Sequence, residues 1–190
     1  KLSLYFDEII NLHSIAIHHH QGSGMFMGRN VFSKDDSAVD MSGNNLIGNV
    51  KCNKIISENK NGVRSNDNNQ EIVINSNYIE GHSFYGCVYI QGDANILIKN
   101  AKLFNNSSSD SRCFVLEKLN NNTPNLTLNN VKTVTGNLVD GSIIFLANFD
   151  GINIKNYSLF TNIFLDPLEN ITLLIGMLNN YLYITSEDLT

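Results

Sequence analysis

The sequence predicts an all-β fold, a parallel β-helix solenoid of about six to seven coils with three short strands in each coil. Three observations lead to this prediction. A short pattern recurs at intervals of 24 to 30 residues: two apolar residues separated by one position, with Asn or Ser two positions after the second of them. Two further apolar series keep the same period, and the alternation inside each segment is that of a β-strand, not of a helix. A near-constant period with one strand-bearing repeat is the signature of a solenoid.

The first series supplies the clearest strand of each coil. Good copies are Ile96–Asn100, Leu126–Asn130 and Ile152–Asn156, and weaker ones are Ile72–Ser76 and Leu182–Ser186. We expect the closing residue of each copy to lie at a bend and to hydrogen-bond to its equivalents in the coils above and below, as in an amide ladder. These ladder residues are Asn49, Ser76, Asn100, Asn130, Asn156 and Ser186.

The other two series complete the coil. The second series aligns at Cys87, Cys113, Ser142 and Asn170. The third series follows three residues after each ladder residue, at Cys52, Ile79, Leu103, Thr133, Leu159 and Leu189. The apolar residues of the first series share one parity and therefore one face of the sheet. We expect Ile98, Leu128 and Ile154 to stack in one aliphatic column, with coils ~4.8 Å apart.

The regularity of the repeat defines the organisation of the chain. Regular coils are expected over 45–190, with irregular structure or N-terminal coils over 1–44 and a polar, Asn-rich loop over 57–70. Residues 1–190 are thus expected to form a single solenoid segment. Because the chain starts at Lys1 without Met and stops partway through a repeat, we expect it to belong to a larger protein.

The composition agrees with many short strands joined by many turns. Charged residues make up only 16% of the chain, whereas Asn accounts for about one residue in six. Asn is poor in helix interiors and tolerates turns, although an AT-rich genome would also enrich it. The net charge of −5 argues against a general nucleic-acid binder. No apolar run approaches the ~20 residues of a membrane span.

One stretch is similar to a known repeat. Gly86–Asn106 resembles the repeats of polymorphic outer-membrane proteins and related surface adhesins, in which a Gly-Gly-Ala-Ile-Tyr strand precedes a strand with Asn, Phe and paired Asn. The resemblance extends over roughly residues 45–190. It implies the right-handed parallel β-helix, or pectin-lyase-like, fold, which hosts lyases, hydrolases, adhesins and fibre shafts alike. Leucine-rich repeats fit less well, because they place Asn three residues after the second apolar position.

We predict no catalytic residues, metal site or cofactor. Asp35–Asp36 and Gly81–His82 resemble fragments of the polygalacturonase pattern, but adjacent acids on a strand point to opposite faces. His18 and His20 share a face and His13 lies nearby, yet no third ligand has a defined spacing.

The cysteines leave two alternatives. Cys87 and Cys113 occupy equivalent positions one coil apart, where stacking at ~5 Å between Cα atoms would permit a disulfide. The alternative, which we favour, is a pair of buried free thiols, since free Cys is commonly buried. Cys52 is expected to fill the core.

Several glycosylation sequons occur along the chain. The candidate acceptors are Asn106, Asn121 and Asn125, because the first two lie in expected turn insertions. Asn156 also precedes a sequon, but as a ladder residue it should be inaccessible.

The function expected from these observations is that of a non-catalytic structural or adhesive β-helical segment of an extracellular or cell-surface protein. Its partners would be other protein segments or its own copies stacking on the coil ends, and glycans. The alternatives are a polysaccharide lyase or hydrolase of pectin-lyase type, and a carbohydrate-binding module.

Overall fold

The computed structural model describes ten stretches of the chain. They are residues 1–66, 70–82, 86–105, 113–117, 125–129, 132–135, 144–147, 153–155, 176–178 and 181–184, with side chains described in the first three and for 113–115. All regular structure in these stretches is β-strand. No helix in them is long and apolar enough to cross a membrane.

The described strands form two sheets. The first sheet has ten strands: β1 (Leu2–Tyr5), β2 (Glu8–Asn11), β4 (Gly22–Ser33), β6 (Leu46–Ser57), β8 (Gln70–Gly81), β10 (Ala94–Lys99), β11 (Lys102–Asn105), β13 (Asn125–Asn129), β14 (Lys132–Thr135) and β16 (Asn153–Lys155). The second has eight: β3 (Ile17–His18), β5 (Val39–Asp40), β7 (Val63–Ser65), β9 (Val88–Gln91), β12 (Phe114–Glu117), β15 (Ile144–Ala147), β17 (Gly176–Leu178) and β18 (Tyr181–Ile184).

The chain alternates between the two sheets, so that one strand of each makes a turn of a solenoid. Neighbouring strands within each sheet, from β1 to β16, pair in parallel. The predicted parallel β-solenoid is therefore confirmed. Four complete turns lie within residues 17–105, and the described strands beyond them extend both sheets. The predicted six to seven coils were slightly too many.

The expected division of each coil into three short strands holds in the fourth turn, with β9, β10 and β11, and again in the strands β12, β13 and β14 that pair with them. In the preceding turns the second and third strand positions merge into single strands of twelve residues, β4, β6 and β8. Strands β10 and β11 are separate because Asn100 between them has a φ of +57°, in the left-handed region that interrupts a strand. The expected bend at Asn100 is thus present.

The aliphatic columns of the first series stack as predicted in the central turns. Ile72 pairs with Ile96 and Ile74 with Ile98, and β13 continues both columns. These isoleucines are buried between the two sheets. The core of the solenoid therefore consists of the inward-facing residues of successive coils laid over one another.

The register departs from the prediction toward the end of the chain. Ile154 pairs with Leu126 and not with Leu128, a shift of two residues along the strand. Strand β18, expected as another parallel coil strand, instead pairs antiparallel with β15 in the eight-stranded sheet. Apolar alternation fixes which face of a strand is buried, but not the partner or its direction.

The first third of the chain is also part of the solenoid. Strands β1 to β5, within residues 1–44, continue the same sheets. The stretch 57–70, expected to be a loop, contains β7, where Val63 is buried between Val39 and Val88. A single apolar residue gives no alternation, which explains why the sequence pattern missed this strand.

Candidate functional site

A cluster of charged side chains lies on the outer face of the eight-stranded sheet. Asp40 and Arg64 are in register on β5 and β7, next to the core residues Val39 and Val63. Because side chains alternate along a strand, the acid and the guanidinium face outward. The Asp40 side chain is nevertheless only 2% exposed, and that of Arg64 is 30% exposed.

We call Asp36, Asp40, Ser42 and Arg64 the Asp40 cluster. Arg64 donates to Asp40 Oδ2 through Nε, at 3.0 Å, and through Nη2. The Ser42 hydroxyl donates to Asp40 Oδ1, and Asp36 Oδ1 lies 3.9 Å from Arg64 Nη1. Burial lowers the pKa of Arg64, but the hydrogen bond and the negative charge of Asp40 outweigh it and raise the pKa.

The Asp40 cluster can stabilise the contact between two neighbouring turns. A buried carboxylate is tolerated where its charge and its hydrogen-bonding capacity are satisfied. Both oxygens of Asp40 accept hydrogen bonds, and the guanidinium belongs to the next turn of the solenoid. The geometry thus suits a structural ion pair.

Polar side chains elsewhere also bind the neighbouring turn. Their partners lie 22 to 25 residues away, which is one coil. The hydrogen bonds run from Asn30 to Glu8 at 2.9 Å, Asn61 to the carbonyl of Gly86 at 2.8 Å, Asn77 to Asn53 at 2.9 Å and Asn100 to Asn75 at 3.2 Å. The exposed ion pair of Arg29 with Asp7 spans the same distance along the chain.

The predicted ladder is wrong at its first step, between Asn49 and Ser76. Ser76 pairs with Cys52, and its hydroxyl donates to the carbonyls of Asn53 and Tyr78. Asn49, exposed, pairs with Val73, three residues out of phase with the expected column. The prediction fails here because β6 and β8 pair residues that are 24 positions apart, whereas Asn49 and Ser76 are 27 positions apart in the sequence.

Three of the expected ladder residues lie outside the described residues: Asn130, Asn156 and Ser186. The same holds for the candidate glycosylation sites Asn106 and Asn121. Asn125 begins β13, between Asn95 and Asn153 of the adjacent strands. Asn residues of three successive strands are therefore in backbone register at this position.

The histidines are spread over different environments. His18 and His20 are exposed, with ring centroids 5.7 Å apart. His19 between them is buried against Phe26, with Nε2 at 3.3 Å from the carbonyl of Gly22. His13 contacts Asp35 at 3.3 Å. In the part of the chain that the structure describes, no group of three or more His, Cys, Asp or Glu could hold a metal ion.

The fragments that resemble the polygalacturonase pattern have different partners. Asp35 is exposed beside His13 and Asn59, whereas Asp36 is partly buried near Arg64. The backbone NH of His82 donates to the carbonyl of Lys60 at 2.9 Å.

Cys87 and Cys113 lie one turn apart, as expected. They precede Val88 and Phe114, which pair in register, and both are fully buried free thiols. Burial, and then the hydrogen bond between the two thiols, raise the pKa of Cys87 well above its usual value. A thiol in this state is a poor nucleophile.

Cys52 fills the core, but not in the predicted column. It pairs with Gly28 and Ser76, whereas Ile55 occupies the position over Ile79. Burial raises the pKa of Cys52 to about 12, against an opposing hydrogen bond with the backbone of Gly28.

One exposed apolar surface was not predicted from the sequence. Most of the exposed large apolar residues lie in or beside β1 and β2, the strands at one edge of the ten-stranded sheet: Leu2, Leu4, Tyr5, Ile10 and Leu12. A shallow cleft of about 310 Å³, lined in part by Lys1, Met25 and Ile47, lies beside this edge. Alternating apolar residues in Leu2–Phe6 were the available signal, but without a repeat marker they could not be assigned to an edge.

Comparison with protein-family models, with curated proteins and with solved structures found no match to this chain.

Proposed function

We propose that this chain is a non-catalytic structural or adhesive segment of an extracellular or cell-surface protein. The observation that supports the proposal is that the polar contacts connect successive turns of the solenoid. Hydrogen bonds of Asn30, Asn61, Asn77 and Asn100, together with the Asp40 cluster, join one turn to the next. Polar groups used in this way strengthen a scaffold.

The physical basis is the way in which solenoids gain stability. Each turn contacts only its neighbours, so stability is roughly a sum of turn and interface contributions. Aliphatic columns inside and amide and ionic contacts outside both strengthen the interfaces. The expected product is a stiff rod whose ends and outer surface are available to partners.

The assignment to a surface protein has a separate support. Gly86–Asn106 resembles the repeats of polymorphic outer-membrane proteins and surface adhesins. Within this proposal, Asn106, Asn121 and Asn125 are the candidate glycosylation sites, and glycans are candidate ligands of the outer surface. Surface labelling of intact cells that make the protein tests the location, and a protein protected from the label would contradict it.

The competing class is a polysaccharide lyase or hydrolase of pectin-lyase type. The test is incubation of the protein with polygalacturonate and pectin, followed by measurement of unsaturated and reducing sugar ends. We expect no release above that of a heat-denatured sample. Release that disappears in Asp36→Asn or Asp40→Asn would overturn the non-catalytic assignment. Retention on a glycan array without release would favour the adhesive form of the proposal.

A further inference from the structure

Two columns of basic side chains lie on the outer face of the ten-stranded sheet, and we call them the lysine columns. They contain four lysines, two on β6 and one each on β10 and β11: Lys51, Lys54, Lys99 and Lys102. Lys51 and Lys99 both pair with Asn75 of β8, and Lys54 and Lys102 both pair with Tyr78. Since neighbouring strands lie ~4.8 Å apart, the two lysines of one column are about 10 Å apart along the solenoid axis.

The burial of the neighbouring residues fixes the direction of these lysines. Cys52, Ile55, Ile98 and Leu103, each next to one of the four in sequence, are buried in the core. Because side chains alternate along a strand, the lysines face outward. Three of them are exposed and Lys99 is half-buried.

The charge of the lysine columns is not balanced by acids within the described part of the chain. The ion pairs found there belong to His13, Arg29 and Arg64, and none of the four lysines takes part in one. The chain as a whole carries a net charge of −5. A basic surface on an acidic protein is complementary to an anionic ligand.

The turn between the lysines carries the opposite charge. Glu71 and Glu80 lie on β8, on either side of Asn75 and Tyr78, and they are the charged residues of that strand. Neither acid lies directly opposite a lysine, since both pair with uncharged residues of β6, β10 and β11. Three successive turns therefore present two positive charges, two negative charges and two positive charges.

Exposed amides separate the two columns. They belong to Asn53, Asn77 and Asn100, one in each of the three turns. Asn77 Nδ2 donates to Asn53 Oδ1 at 2.9 Å, and Asn100 Nδ2 donates to Asn75 Oδ1 at 3.2 Å. A primary amide has two donor hydrogens and an oxygen that accepts twice, so an exposed amide in such a contact can also bind a hydroxyl group.

The spacing of the charges favours a sparsely charged polymer over a nucleic acid. Duplex DNA carries one negative charge per ~1.7 Å of its axis, whereas the lysine columns offer positive charge only at every second turn. Binding of a single strand relies on several aromatic rings on which bases stack, and the two columns contain one ring, that of Tyr78.

A polysaccharide matches this spacing. One sugar of an extended chain advances by about the height of one turn of the solenoid. Along the lysine columns, every second sugar would lie between lysines, and the sugars between them would lie on the turn of Glu71 and Glu80. An acid on every sugar would meet these two carboxylates, but an acid on alternate sugars would not.

We propose that the lysine columns bind an extended linear polysaccharide in which a sugar acid alternates with an uncharged sugar. The polysaccharide runs along the row of exposed amides, with its carboxylates at the lysines and its hydroxyl groups at the amides. The inference rests on the adhesive role proposed above and names its ligand.

Binding of hyaluronan, whose carboxylates lie on every second sugar, tests the proposal with the whole chain. Fluorescence anisotropy of labelled oligosaccharides of equal length gives the dissociation constants at low salt. We expect hyaluronan to bind more tightly than polygalacturonate, which is charged on every sugar, and neutral dextran not to bind. A preference for polygalacturonate or for single-stranded DNA, or the lack of any hyaluronan binding, would overturn the proposal.

Two double variants with the same net charge locate the site. Lys51→Ala with Lys99→Ala should raise the dissociation constant for hyaluronan by about twofold to thirtyfold, as expected for the loss of two exposed ion pairs. Lys34 and Lys60 are exposed lysines outside the columns. Lys34→Ala with Lys60→Ala should leave the dissociation constant unchanged, and equal losses in the two double variants would contradict the assigned site.

Amine labelling of the parent chain does not depend on any substitution. Hyaluronan should slow the acetylation of Lys54 and Lys102, measured by mass spectrometry of peptides, and should leave that of Lys34 and Lys60 unchanged. Equal protection of all four would again contradict the site.

The outcomes also separate this inference from the proposed function. A chain that neither binds hyaluronan nor cleaves polyuronates overturns the polysaccharide site alone. A chain that binds hyaluronan through the lysine columns and also cleaves polyuronates overturns the non-catalytic role and keeps the site.

Discussion

Truncation of Ile74 to Ala tests the inward columns on which the fold depends. Ile74 is fully buried in β8, between Val50 of the preceding turn and Ile98 of the next. Ile→Ala substitutions in cores cost about 2–5 kcal/mol, according to how far the site can collapse. Stacked strands on both sides fix the walls of the cavity, so we expect about 3–4 kcal/mol. Since 1.4 kcal/mol is tenfold, the unfolding equilibrium constant should rise by a factor on the order of several hundred.

The measurement is urea unfolding followed by circular dichroism, with Ile47→Ala as the matched control. Ile47 is the same residue type in the same sheet, but it faces outward and is 52% exposed. Its truncation should change the free energy of unfolding by no more than about 0.5 kcal/mol. Equal slopes against urea would show that both variants unfold the same structure as the parent.

The result that would refute the reasoning is an equal loss in the two variants, or a larger loss for Ile47→Ala. A slip of one residue in strand register exchanges the inward and outward faces. Such an outcome would therefore mean that the strands stack in a different register.

Three further predictions concern the polar and thiol groups. Asp40→Ala should lower the free energy of unfolding by about 2–3 kcal/mol, because it removes both hydrogen bonds of a partly buried guanidinium and leaves it only the more distant Asp36, whereas Asp7→Ala, in an exposed pair, should cost less than about 1 kcal/mol; equal urea midpoints would contradict this. Because the pKa of Cys52 is raised from 9.0 to about 12, the unfolded chain loses this proton first. The stability that the protonated Cys52 thiol contributes is thus fully present below pH 9 and is lost as the pH rises toward 12. Urea midpoints across this range should therefore fall less steeply in Cys52→Ala than in the parent. Cys87 and Cys113 should be alkylated by iodoacetamide only as the protein unfolds, since both side chains are fully buried and the reagent cannot reach them in the native chain; rapid labelling of the native chain, or a Cys87–Cys113 disulfide in peptide maps, would contradict the buried free thiols.

The sequence by itself determined the fold class and the buried face of the central strands. Ile72 and Ile74, like Ile96 and Ile98 one coil later, alternate with a period of two, and that period is a local property of an extended chain. Repetition of the pattern then indicated stacking, because one coil cannot bury its apolar face alone. The position of Cys87 relative to Cys113 followed from the same repeat.

Only the tertiary structure decided which residues meet across turns and which remain uncovered. Arg64 lies 24 residues from Asp40, and nothing in either local sequence marks them as partners. Asn49 carried the expected residue type but belongs to another column, and the antiparallel direction of β18 has no signature in its alternating residues. Pairing and the burial that follows from it are set by the free energy of the whole stack, so a pattern within one strand cannot specify them.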